Sequence, residues 1–526
     1  MARRALILVA LLAAVVASGS AQDARAVLQA SAAAMGLNNV KTIQYSATGW
    51  NALVGQSFNL QEDWPRFEVT AYTRTIDYDA NVSREEFTRR RGNYPMRGGG
   101  APFDGDQRVV QIVGGGYAWN LQGEKPALPG RPYLEGMPHN DLRQLEIMLT
   151  PHGFLKAAMA SKDARVLSTA IVGPTNAGLT QNGRRANLVA FTALGKYKVV
   201  GTINDQNLVE LTTTWISNHV YGDMLYEIRH LNYKDFGGVM FPTTIHVHQG
   251  DPVFNPAHNM MDIRVTDVRT NVAVPAMPVP DNIRQGPAAP PVRAEAQKLS
   301  DGVWLIGGGS HHSVAVEFSD HIAMIEAPLG EERSLAVLEA VSQIAPNKLV
   351  RHIINTHHHF DHSSGLRTYI AQGSTLVTHR DNADFYEQVM LSPAPRTLAP
   401  DRLAMFYPNF TGSRRPVPIE RVNQKYVLSD GVRVLELYPI QGSTHIGPML
   451  IAYLPKEKIL VNADLYTPPA AGAQVPSQAM QGIAALANNI RRLRLDVAQH
   501  ATLHGMSPSS NETFVKLAAT AKAGTN

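Results

Sequence analysis

The sequence predicts two architectures in one chain: an antiparallel β-rich (α+β) N-terminal domain over 22–275 and an α/β C-terminal domain over 298–526. Three observations predict it. At 526 residues the chain is too long for a single compact domain. Segments between about 40 and 275 alternate apolar and polar residues between glycine turns, whereas after 298 short apolar runs end in histidines and aspartates. Between the two halves, 276–297 gathers Pro278, Pro280, Pro287, Pro290 and Pro291 among small residues, a semi-rigid linker.

In chain order, Met1–Ala21 has the layout of a secretory signal peptide: Arg3-Arg4, an apolar run over Ala5–Ala17, then Gly19-Ser20-Ala21. The apolar run is short for a membrane span, and no cysteine follows it to carry a lipid. The protein is therefore expected to be exported, periplasmic or secreted, with no stable membrane anchor. Alanine-rich residues 24–36 read as a helix closed by Gly36. Val40–Thr48, Tyr226–Tyr233 and Phe241–His248 read as strands, and 139–172 as a helical patch. The wording of Asn232–Pro242 weakly resembles periplasmic lipoprotein-carrier half-barrels. His246 and His248 share one strand face and are read as ordinary surface or core polar residues.

The formal charge of +4 includes Arg3 and Arg4 of the leader, so the remainder is near neutral and has no pull toward nucleic acid. Zero cysteines remove disulfides, thiolate nucleophiles and thiolate ligands. There is no Gly-x-Ser-x-Gly elbow after a strand, and Gly98-Gly99-Gly100 lacks the Lys-Ser or Lys-Thr of a phosphate loop.

In the C-terminal half, Gly302–Ile306 and Ser313–Phe318 read as the first strands. Leu349–Ile354 reads as a buried strand, and Ser363–Leu366 as a turn into a helix. Between them His357-His358-His359-Phe360-Asp361-His362 spells His-x-His-x-Asp-His at a strand's carboxyl end, where α/β folds place ligand sites. His445 follows the apolar run Val434–Ile440, Asp464 ends Lys458–Ala463, and His504 follows His500–Leu503. With His357, His359, Asp361 and His362 these make seven candidate ligands, enough for two metal ions sharing a bridge. The insertion with Ala383–Met390 and Leu403–Phe410 reads as a packing helix pair or an apolar cap over the site.

In this order, these residues resemble the metallo-β-lactamase superfamily over roughly 298–515. The resemblance implies an αββα sandwich. Aspartate at 464 is the pattern of the glyoxalase II and lactonase branches. The resemblance further implies that His357, His359 and His445 hold one zinc, that Asp361, His362 and His504 hold the other, and that Asp464 bridges. Asp361 would also pass a proton to the leaving group, and His358 would be structural. Glu326 stands where the family often has aspartate, and can orient the histidine loop from behind. The expected function is an exported dinuclear zinc hydrolase that cleaves an ester, lactone or amide of a small-molecule substrate with a metal-bound hydroxide. Iron or manganese are alternative metals. Alternative functions are iron-dependent oxygenation on the same fold, and a lipophilic-ligand carrier with a structural metal. The half beginning at 298 is expected to hold the chemistry and the β half to add binding; the competing view is that the β half packs across the site and completes it. N-terminal sequencing of exported protein is expected to read from near Gln22; an intact Met1 would overturn export.

Overall fold

The computed structural model describes residues 24–94, 97–99, 105–129, 137–172, 184–250, 258–286, 292–390, 396–406, 417–470 and 472–523. The leader, its cleavage point, Pro287, Pro290, Pro291 and Tyr407–Phe410 lie outside them. The chain is mixed α/β and rich in strands.

A 13-stranded antiparallel sheet takes every strand from Thr42–Ala52 to His258–Thr270. Alternation in the sequence becomes alternation of faces. In Gly222–Asp235, Met224, Tyr226 and Ile228 are buried while Leu225, Glu227 and Arg229 are partly exposed. The buried face carries the helices Ala24–Ala34, His139–Met148 and Pro151–Ala160, whose Val27, Leu28, Leu145, Phe154 and Leu155 share a core with Tyr45, Val199 and Phe241. Gly36 follows the first helix at φ 66°, and a Cβ there would lie 2.0 Å from the Gly238 carbonyl oxygen.

The helical patch stops short of 172. Ala160 is the last helical residue, and Arg165–Val172 is a strand paired antiparallel with Arg184–Ala193. Val166, Thr169, Ile171 and Val172 are β-branched and suit a pleated surface better than a further helical turn. The linker is also partly bound: Asp281–Arg284 is a short helix, and Ile283 is buried with Val110, Ile112 and Trp119. The next strand begins at Glu295 and pairs with Val303–Gly307.

The C-terminal half is a sandwich of a seven-stranded and a six-stranded sheet. Val314, Val316, Ile325 and Ile354 of one meet Leu435, Leu437, Ile451 and Val461 of the other in a single core. Leu450–Leu454 and Ile459–Asn462 are buried at every position, as strands covered on both faces must be. Helix Glu331–Ile344 lies outside the first sheet, its Val337 and Val341 in the core with Ile322, Met324 and Ile353. Helices Ser477–Leu493 and Asn511–Ala523 bring Ile483, Leu486 and Phe514 to the second. Among the described residues no helix is long and apolar enough to cross a membrane.

The two halves share a contact rather than a tether. The ring of Tyr221 lies edge-on to Phe360 and Phe385, with centroids 5.3 and 6.1 Å away. Such pairs add roughly 0.5–1.5 kcal/mol beyond the area they bury. Arg396 donates to the carbonyls of His219 and Val220 at 2.9 and 2.8 Å, and Asp223 accepts from the backbone and hydroxyl of Thr397 at 2.9 and 2.6 Å. The described part of the 383–410 insertion is therefore packing: Phe385, Tyr386, Val389, Met390 and Leu403 are buried in the same core.

Two buried imidazoles pin the helices to the N-terminal sheet. His152 Nε2 donates to the Met35 carbonyl at 3.2 Å, and His230 Nε2 to that of Leu149 at 3.1 Å. Burial lowers them to about 4 and about 3. A folded pKa below the unfolded one means stability that is whole above the usual imidazole value and lost as pH falls through the folded value. His152→Gln should therefore flatten the loss of stability between pH 7 and pH 4, by roughly 2–3 kcal/mol at the acid end. Urea midpoints at the two pH values check this.

Candidate metal centre

Parallel pairing sets the site. Leu349–Ile354, Ile459–Asn462 and Gln499–Thr502 run in parallel pairs, and each strand's carboxyl end delivers a ligand segment. The short helix begins at Phe360, earlier than the turn read at Ser363, so Asp361 and His362 sit in its first turn. Asp464 and Glu326 both adopt positive φ, 56° and 71°, at the strand ends. A non-glycine residue there is strained, and both are turned toward the histidines.

The structure brings all seven predicted residues together. His357, His359, His445 and Asp464 form one group whose ligand atoms lie within 4.8 Å of one another. Asp361, His362 and His504 form a second, completed by His311. Asp464 stands between them: Oδ2 lies 3.0 Å from His357 Nε2, 3.2 Å from His445 Nε2 and 3.0 Å from His362 Nε2, and Oδ1 lies 2.7 Å from His504 Nε2. His358 is turned away, its ring near Asn382 and Ser57 at 3.2 Å each.

His311 was missed by sequence reasoning. It follows Gly307-Gly308-Gly309-Ser310 before a strand and has no ligand spacing of its own. It pairs with His504 in an isolated bridge and puts Nε2 3.1 Å from Asp361 Oδ2. Glu326 is fully buried, accepts the Thr356 N–H at 2.6 Å and contacts His362 Nδ1. It orients the histidine loop from behind, as its position suggested.

The loop between Ala52 and Arg66 in the N-terminal half enters the site. Gln56 Nε2 donates to Asp361 Oδ1 at 2.8 Å, and His359 Nε2 donates to the Ser57 carbonyl at 3.0 Å. That leaves His359 Nδ1 facing His357 Nε2 at 3.1 Å. Gly55 makes the approach feasible: its φ is 76°, and a Cβ would lie 2.3 Å from the Phe360 ring. The N-terminal half thus supplies part of the site's surroundings.

Burial and charge oppose each other here. His357 is lowered to about 3, first by burial and then by His362. Burial would raise Asp464 and Asp361, but His362 and further imidazoles bring both well below the usual carboxylate range. Burial would lower His362, but Asp464, Asp361 and Glu326 lift it well above the imidazole range. A buried glutamate and two half-buried aspartates therefore sit among imidazoles, and charge of that kind needs cations. His445 Nε2 and Asp464 Oδ2 are buried without an aligned hydrogen-bond partner. These donors fit divalent metal ions.

A cavity of about 640 Å³ opens on His311, Asp361, His445, Asp464 and His504. Leu53 and Gln56 wall one side; Leu465, Pro468, Pro469, Val475 and Ile483 wall another. No described residue of the 383–410 insertion lines it.

Residues 306–465 match the model of the metallo-beta-lactamase superfamily. The C-terminal half therefore carries a metallo-β-lactamase domain. Among solved structures, the chain is similar to the DIM-1 metallo-beta-lactamase (12% identity, 44% of this chain and 99% of that one, TM-score 0.33). It is also similar to a metallo-beta-lactamase from Pontibacter korlensis (18%, 44% and 99%, 0.31) and to TMB-1 (17%, 44% and 99%, 0.33). No curated protein matches the chain.

Glu326→Gln keeps the shape and removes the charge behind His362. Metal affinity should fall about 10- to 100-fold, read by competition with a chromophoric chelator. Unchanged affinity would reduce Glu326 to a backbone prop.

Proposed function

We propose that this chain is an exported dinuclear zinc hydrolase acting on an ester, lactone or amide with an apolar acyl part. The observation that carries the reading is Asp464, whose two oxygens face the imidazoles of both ligand groups. His357, His359 and His445 would hold one ion, Asp361, His362 and His504 the other, and Asp464 would touch both. His311 is placed to support the second. When bound, two zinc ions would supply Lewis acidity and a water made acidic enough to attack at neutral pH.

The side chains divide the remaining work. Gln56 and His311 hold the two oxygens of Asp361, which faces the cavity and is set to carry a proton between water and the leaving group. Ser57 fixes the tautomer of His359, and Thr356 Oγ1 contacts His357 Nδ1 at 2.9 Å. Leu53, Leu465, Val475 and Ile483 favour an apolar group beside the scissile bond and exclude water from it. The leader supports export, so the substrate would be met outside the cytoplasm.

Chelation should abolish hydrolysis of an apolar ester and lactone panel, and zinc, cobalt or manganese should restore it. Asp464→Ala should lower occupancy of both ions and cut kcat at least 100-fold, by elemental analysis and initial rates. Turnover that survives full metal removal would overturn the mechanism, and one iron per chain would favour oxygen chemistry.

A further inference from the structure

Far along the chain from those ligands, the N-terminal sheet gathers a second set of imidazoles. His246 and His248 lie on one face of Met240–Gln249, partly buried at 18% side-chain exposure each. Their Nε2 atoms approach to 2.8 Å. Asn259 Oδ1 lies 3.1 Å from the first and 2.6 Å from the second. A β-bulge makes this possible. Val247 pairs with Met261 but His248 with Asn259, so skipping Met260 turns Asn259 onto the histidine face.

Proton accounting shows what the trio lacks. His246 Nδ1 faces Asp262 Oδ2 at 2.7 Å, and His248 Nδ1 faces Glu227 Oε1 at 3.6 Å. In a neutral ring Asp262 places the proton of His246 on Nδ1 and leaves its Nε2 a lone pair, whereas Glu227 stands beyond hydrogen-bond distance of His248 and leaves that ring's tautomer open. Asn259 cannot flip to donate, because its Nδ2 already donates to Asp63 Oδ2 at 2.8 Å. Each carboxylate is itself held by an arginine: Arg264 on Asp262, Arg229 on Glu227, Arg66 on Asp63. Three potential ligand atoms therefore converge on one point with at most one hydrogen, on His248 Nε2, between them, and a cation would displace it. Tetrahedral zinc with ligands at 2.0–2.1 Å separates its ligand atoms by about 3.3 Å, so the trio would open by roughly 0.2–0.7 Å per pair to take the ion. Histidines backed by carboxylates are the usual outer arrangement of such sites.

We propose that His246, His248 and Asn259 bind a divalent cation of borderline character, zinc foremost, with the fourth position open to water. The site is independent of the C-terminal ligands. It would clasp the hairpin of Met240–Gln249 and His258–Thr270.

The test uses full-length protein, stripped by chelation, reloaded with zinc and desalted. His246→Gln and His248→Gln should each hold one zinc equivalent fewer than wild type, with ester turnover within twofold. Equal zinc content in wild type and both variants would overturn the site, and would mean that the imidazoles share a proton instead. Should the glutamine variants fail to fold, His248→Cys decides. The chain has no cysteine, so a thiolate-to-cobalt charge-transfer band in the cobalt-loaded variant can come only from this position. The band supports the site, and its absence in folded, cobalt-loaded protein refutes it.

Discussion

Asp464 is the constraint around which the C-terminal half is organised. It is a carboxylate at positive φ, in a half-buried position, with imidazoles of both ligand groups against its oxygens. Such a charge is tolerable only where opposite charge is fixed nearby. Glu326 repeats the arrangement at a strand end of the other sheet, at positive φ and with its carboxylate on His362 and the Thr356 N–H. The sandwich holds both against relaxation: the strands before them, Ile459–Asn462 and His321–Ile325, are among the most buried in the molecule. Stability there supports strain at the ends.

The ligand run was legible because its information is local. His357, His359, Asp361 and His362 lie within six positions, and a strand before them sets their direction. His445, Asp464 and His504 could be added because each also follows an apolar strand. His311 and Gln56 could not. His311 gains its place from a bridge to His504, and Gln56 lies 305 positions from Asp361. No periodicity encodes such contacts. The β-rich N-terminal half was legible as alternation, but the end of its helical patch was not. Ser161 and the β-branched residues after it decide that point through pairing with Arg184–Ala193.

His246 and His248 show the other limit. Their shared strand face follows from period two, and by that alone they are ordinary polar residues. The bulge that brings Asn259 beside them leaves no mark in the sequence. The insertion was also ambiguous between cap and packing. The answer came from Arg396, whose donors are spent on carbonyls of the other half.

The loop that reaches into the C-terminal site has a consequence for inheritance. Gln56 and Ser57 are encoded far upstream of the histidines they contact, on the opposite side of the proline-rich junction. A genetic crossover at that junction would exchange the outer partners of Asp361 and His359 while leaving every ligand codon intact. Keeping the two halves together keeps those contacts. A lineage that recruited this C-terminal half onto a different N-terminal partner would have to reinvent the hydrogen bonds now supplied by two residues of a foreign-looking domain.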